Sequence, residues 1–224
     1  MVNIFNITNF LARLNIRLPE TFLKEEIVRY LTESDSRIVE IPLMFNMIPF
    51  PRKRILDVGC RYSLFSIQLA SLGHEAHGID INNYKRKHPN FRFREGDIIK
   101  SGYPKNYFDI VVSLSTIEHI GLGRYNDKSN VKGDIDAIKE IYRITKLGGQ
   151  ILITLPFGKP VDTDWYRVYD IERIRKLLTG FKINKKYVFR DKNGSWIPAF
   201  AKDTEDIDSS KKPMAVVFVK ATKV

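Results

Sequence analysis

The sequence predicts an α/β fold: a doubly wound, mostly parallel sheet of seven strands, finished at one edge by an antiparallel hairpin and preceded by a helical extension. Three observations predict it. From Arg54 onward short apolar runs alternate with stretches of helical periodicity, and strands separated by helices pair in parallel. After Gly180 that rhythm stops, and "FKINKKYVF" and "MAVVFVKAT" follow one another with only a polar loop between them. Before residue 50 the apolar residues recur at helical spacing.

In chain order, Ile7, Phe10, Leu11, Leu14 and Leu18 share one helical face, and Phe22, Leu23, Ile27, Tyr30 and Leu31 share another after Pro19. "IPLMFNMIPFP" is broken by prolines and reads as a loop. Residues 1–50 are therefore expected to form a helical cap, and residues 51–224 the main domain. Strands are expected at 54–58, 76–80, 91–94, 109–114 and 149–155. Helices are expected at 63–72, 133–146 and 170–179, with Gly148 and Gly149 as the stop after the second. The two strands after Gly180 have no crossover helix, so they close as an antiparallel pair.

Composition narrows the function classes. With 224 residues and 43% hydrophobic content, the chain can bury a sizeable core. The single cysteine, Cys60, excludes an intramolecular disulfide framework and suits a reducing compartment. No run approaches the ~20 apolar residues of a membrane span, and "MVNIFNITNF" lacks the basic start of a signal peptide. A cytoplasmic protein is the expectation. The net charge of +11 fits two readings: lysines scattered over solvated faces, or an anionic partner such as nucleic acid. The densest basic cluster is Lys85, Arg86, Lys87 and His88.

"RILDVGCRYSLFSIQLA" opens like a nucleotide-binding turn, with Asp57 and Gly59 after an apolar run. A dinucleotide needs further glycines so that backbone amides can approach its pyrophosphate. Here Arg61 and Ser63 stand in their place. S-adenosylmethionine has no phosphate and needs only the one tight turn that Gly59 supplies. Arg61 then either faces the cofactor carboxylate or lies on the surface. Asp80 ends a second strand, "HEAHGIDIN", where a carboxylate can accept from both ribose hydroxyls. Asp97 follows a third, "FRFREGDII", within reach of an adenine amino group.

"LDVGC", "GIDI", "EGDI", "FDIVVSLSTIEHI" and "LGGQILITLPFG" resemble, in order and spacing, the successive motifs of class I S-adenosylmethionine-dependent methyltransferases. The resemblance implies a Rossmann-like fold and S-adenosylmethionine as cofactor. It implies a methionine end shaped by Asp57 and Gly59, a ribose held at Asp80 with Ile81, an adenine held at Asp97 with Ile98, and a pocket wall at Ser115. "IEHIGLGRYNDKSNVKGDIDAIKEIYRITKLGG", with "WYRVYDIERI" and "NGSWIPAF", resembles a group of methyltransferase-like proteins associated with polysaccharide or glycan biosynthesis.

Ligands of parallel sheets bind beyond the carboxyl ends of the strands, where "DIVVSL" delivers Glu118 and His119. For a hydroxyl acceptor a base of near-neutral pKa helps, which makes His119 the candidate base with Glu118 beside it. Both also suit a structural role in the turn. Arg124 and Tyr125 in a glycine-rich loop, and Trp165, Tyr166 and Arg167 after the fifth strand, are candidates to meet the substrate, the aromatic group by stacking on a sugar or base. The 162–169 segment equally suits a lid. Asp134 and Asp170 are expected as helix caps. The four histidines show no metal-ligand spacing. The leading expectation is methyl transfer to an oxygen of a small-molecule or glycan-type acceptor. RNA methylation, and a non-catalytic scaffold on the same fold, are the alternatives.

Overall fold

The computed structural model describes residues 36–125 and 127–224. The helices expected within residues 7–31 lie outside the described residues. Eight strands form one sheet in the order β3-β2-β1-β4-β5-β10-β8-β9. They are β1 (Arg54–Val58), β2 (Glu75–Asp80), β3 (Phe91–Glu95), β4 (Phe108–Leu114), β5 (Thr145–Pro156), β8 (Phe181–Lys192), β9 (Ser195–Ala199) and β10 (Ala215–Lys223). The first five are parallel; β10 runs antiparallel to both β5 and β8. A two-residue ribbon, β6 (Val161–Asp162) with β7 (Arg167–Val168), follows β5. Helices α1 (Arg37–Met47), α2 (Phe65–Ser71), α3 (Gly133–Ile144) and α4 (Ile171–Leu177) cover the sheet. No helix among the described residues is long and apolar enough to cross a membrane.

The alternation of side chains along each strand divides the core in two. Leu56 and Val58 of β1, with Val111 of β4 and Ile153 of β5, pack on one face against Ala137, Ile138, Ile141 and Ile144 of α3. Those α3 positions lie one, four and seven residues apart, one stripe of a helix. Ile55 and Ile110 face the other side, against Met44 of α1 and Phe65 and Leu69 of α2. Each fully buried aliphatic side chain contributes about 1.5–3 kcal/mol.

Three expectations are corrected. The sheet has eight strands because Ser195–Ala199, within the expected polar loop, pairs antiparallel with β8. Pro198 fits there because β9 is the edge strand and its missing N–H breaks no ladder. The helix expected to reach residue 146 stops at Ile144, and β5 starts at Thr145; Gly148, with φ +72°, bends the strand rather than stopping the helix. The proline-broken segment after residue 40 is mostly helix: α1 runs through Pro42. Ser36 O accepts from the amides of both Val39 and Glu40, so the first turn is closed before the proline. Burial of Met44 and Met47 then holds the following turns.

Candidate active site

The sheet order reverses direction between β1 and β4, the position at which open parallel sheets leave a crevice beyond their carboxyl ends. A cavity of about 1330 Å³ lies there. That exceeds the ~300–1,000 Å³ of a pocket for one drug-sized ligand, so two molecules fit side by side.

One half is built by the tips of β1, β2 and β3. Gly59 leaves β1 at φ +75° and donates its amide to Ile79 O (2.9 Å). A side chain here would be strained and would collide with Thr116. The strand period turns Asp57 to the α2 face, where the Ser66 hydroxyl donates to its carboxylate at 2.5 Å. Burial pushes the Asp57 pKa up to about 7, against the opposing hydrogen bond from Ser66. Asp80 is aligned by two backbone amides, Arg61 N–H at 3.1 Å and Asn82 N–H at 2.9 Å. Asp97 accepts from Ile99 N–H at 2.9 Å and so caps the short 3-10 turn after β3. Asp57, Gly59, Asp80, Ile81, Asp97, Ile98 and Ser115 all line the cavity. Arg61 takes part through its backbone amide, and its exposed side chain is not among the lining groups. The residues fit S-adenosylmethionine: a cradle at Gly59 that a Cβ would fill, and two carboxylates set by backbone donors one strand apart.

The other half is aromatic. His119, Tyr125, Trp165 and Tyr166 line it together, with Trp196 from β9 and Lys211 and Lys212 from the segment before β10. The His119 ring lies edge-on to Tyr125 (5.5 Å between centroids) and to Trp165 (6.4 Å). His119 Nδ1 is 2.5 Å from Trp165 O. A carbonyl only accepts, so Nδ1 carries the proton and Nε2 keeps its lone pair. Burial lowers the His119 pKa, so the ring is neutral at physiological pH.

Beneath His119 lies Glu118, 1% exposed, with Oε1 at 3.9 Å from His119 Nε2. Its Oε2 is buried and has no hydrogen-bond partner among the described residues. Burial, aided by the nearby Glu40 charge, raises its pKa to about 8. Glu40, also 1% exposed, accepts from Ser115 Oγ (2.8 Å), Ser36 Oγ (3.1 Å) and Arg37 (3.0 Å). It ties α1 to the tip of β4, where Ser115 has φ +41°.

Two candidate substrate residues sit differently. Arg167 is 1% exposed, and its guanidinium donates to Glu118 O, Ile120 O and Val131 O (3.3, 2.8 and 3.4 Å). It fastens the loop after β4 and does not present its charge to the main cavity. Arg124 donates to Asp164 O (2.9 Å), lies over the Trp165 ring at 5.4 Å, and borders a smaller cavity of about 410 Å³. Asp134, expected as a cap, lies inside the first turn of α3 and accepts from Tyr169 OH at 2.9 Å. Asp170 does cap α4, through Arg173 N–H at 2.7 Å. Glu40, Trp196, Lys211 and Lys212 escaped the sequence reading. "NGSWIPAF" contains Trp196, but no quoted motif contains the other three.

The fold is that of class I S-adenosylmethionine-dependent methyltransferases. An S-adenosylmethionine-dependent methyltransferase from Thermotoga maritima superposes with a TM-score of 0.57 at 17% identity, over 92% of this chain and 98% of the other. One from Methanosarcina mazei gives 0.58 at 17% identity, over 82% and 97%. A chain in the complex of the Haloferax volcanii Trm112 methyltransferase activator with a methyltransferase gives 0.61 at 14%, over 88% and 94%. In sequence, the ubiquinone/menaquinone biosynthesis C-methyltransferase UbiE of Stutzerimonas stutzeri (strain A1501) is 31% identical over 105 residues. That match takes in 44% of this chain and spans only 36% of the relative's length. Residues 69–220 match a family described as Caenorhabditis protein of unknown function, DUF268, and the chain belongs to that family.

Proposed function

We propose that the protein is an S-adenosylmethionine-dependent methyltransferase that methylates an oxygen of a small-molecule or glycan-type acceptor. One observation carries the reading: a single cavity joins a half suited to the cofactor to an aromatic half where His119 offers an unprotonated Nε2. The likeness to methyltransferase structures and to a C-methyltransferase sequence supports the transferred group. Tyr125, Trp165 and Trp196 support a ring-shaped acceptor.

When bound, S-adenosylmethionine supplies an electrophilic methyl group on a sulfonium. The chain supplies alignment, which accounts for much of the acceleration of an in-line displacement. Gly59 and Asp57 fix one end of the crevice, and Asp80 and Asp97 fix the other. His119 Nε2 takes the acceptor proton; Trp165 O, by holding Nδ1–H, keeps the ring in that tautomer and stabilises the charge it gains. The walls of the aromatic half exclude water.

Calorimetry with S-adenosylmethionine, followed by a screen of sugars, nucleotide sugars and RNA read by release of S-adenosylhomocysteine, tests the reading. Binding of the cofactor is expected, with turnover on a hydroxylated ring. No heat at millimolar cofactor favours the scaffold reading, and turnover on RNA alone favours the nucleic-acid one. His119→Ala should lower kcat by about 100- to 10,000-fold with cofactor affinity unchanged. Full activity in that variant removes the base from the mechanism.

A further inference from the structure

Glu118 stands apart from the three acids of the cofactor half and from Glu40. Asp57, Asp80 and Asp97 each accept a hydrogen bond from the chain, and Glu40 accepts several. Glu118 Oε2 is buried, lies in a residue that lines the cavity, and has no partner among the described residues. Leaving a buried polar atom unpaired costs about 1–3 kcal/mol, so a polar partner beyond the described residues is expected for it, and a molecule bound in the cavity can supply one.

The position of the carboxyl says what that partner is. Glu118 follows β4 on the acceptor side, next to His119 and under Arg167 and Tyr169. Its Oε1 is 3.9 Å from His119 Nε2, which sets the Glu118 carboxyl beside the candidate base. Neighbouring hydroxyls on a saturated ring lie about one hydrogen-bond length apart. They suit a carboxyl and an imidazole set side by side, where a single hydroxyl satisfies only one. Trp165 and Tyr125, edge-on to the same imidazole, and Trp196, which lines the same cavity, make walls for such a ring.

We propose that Glu118 reads a second hydroxyl of the acceptor, and that the acceptor is therefore a vicinal diol on a ring, one hydroxyl placed on His119 Nε2 for methylation and its neighbour held by Glu118. The proposal rests on the methyltransferase reading above and narrows its substrate class. With its pKa near 8 the carboxyl keeps its proton at neutral pH, so it both donates to and accepts from a hydroxyl. An ammonium or a second anion is served less well by a neutral acid.

The test uses the full chain with three probes: cis-cyclohexane-1,2-diol, methyl α-mannopyranoside and cyclohexanol. Quenching of tryptophan fluorescence reports occupancy beside Trp165 and Trp196, in the presence of S-adenosylhomocysteine. Both diols should bind about 10- to 100-fold more tightly than the mono-alcohol, because the latter leaves the buried carboxyl unpaired. Glu118→Ala should erase the preference, and Glu118→Gln, which keeps a donor and an acceptor, should retain most of it. Cofactor affinity measured by calorimetry should be the same in all three proteins. Equal binding of diol and mono-alcohol, no saturation by either diol, or a preference that survives in Glu118→Ala overturns the proposal. Loss of cofactor binding in Glu118→Ala also overturns it, because the free oxygen then serves the cofactor. If diols bind selectively while S-adenosylmethionine does not bind, the transfer reading fails and the diol subsite stands.

Discussion

Gly59 and Thr116 meet where β1 and β4 end, and the approach leaves no room for a side chain between them. The residue at 59 also carries φ +75°, a conformation that costs a residue other than glycine about 1–2 kcal/mol before any collision. Gly59→Ala should therefore both destabilise the fold, by about 2–4 kcal/mol, and remove the cradle. A chemical-denaturation curve beside calorimetry with S-adenosylmethionine separates the two effects. Loss of cofactor affinity in protein that is still folded is the expected outcome, and unchanged affinity removes Gly59 from the site. The missing glycines at 61 and 63 matter less than the sequence suggests. Arg61 contributes a backbone amide to Asp80, and Ser63 Oγ accepts from Phe65 N–H at 2.9 Å where the chain enters α2. The acids at strand ends were legible because a strand tip fixes where its next residue lies. Glu40 was not legible: its partner Ser115 is 75 positions away, and nothing local marks a helix glutamate for burial.

Among the elements, the loop after β4 depends on one side chain. Arg167, from the two-residue strand β7, binds three carbonyls of residues 118–131 and lies 3.9 Å from Asp134 at the start of α3. Replacing it with methionine keeps the volume and strands those buried acceptors, at a cost of about 3 kcal/mol. For a chain of this size that lowers Tm by roughly 10 °C. Cofactor affinity should persist, since the amides that set Asp80 and Asp97 come from Arg61, Asn82 and Ile99 and not from that loop, while turnover falls as His119 loses its support. A melting curve like that of the parent protein contradicts this role. The sequence reading gave Arg167 to the substrate because an arginine in an aromatic loop looks the same whether its charge faces outward or inward. The central strands β1 and β4 were readable for the opposite reason: both of their faces are buried, so they appear as mostly apolar runs. β9 lacks that signature. It is an edge strand with exposed ends and an internal proline.

For the whole molecule, the same burial that prepares the site sets how stability responds to pH. Glu75 forms an ion pair with Arg54 (3.0 Å) and accepts from Arg92 (2.9 Å) and His77 (3.3 Å), and the Arg54 guanidinium above all holds its pKa down to about 2. An unfolded glutamate titrates near about 4.3, so this stabilisation is complete above that pH and is lost as pH falls toward 2. Asp57 and Glu118 act in the other direction. Their folded values of about 7 and 8 lie above those of the unfolded chain, near about 4. Between those limits the folded state keeps protons that the unfolded chain has released. Their contribution is therefore most favourable below about pH 4 and declines as pH rises through 7 and 8, by up to about 1.4 kcal/mol per pH unit for each group. The two limbs place maximal stability in mildly acidic solution, toward the acid end of the usual range of about pH 5–8. Urea midpoints should fall between about pH 5 and about pH 8 in the parent protein, and Asp57→Asn with Glu118→Gln should flatten that decline and raise the midpoint at about pH 8. An equally steep decline in the double variant assigns the alkaline limb to other groups. A flattened one means that these two acids make the folded state less stable at neutral pH, and that the cavity keeps them for what it binds.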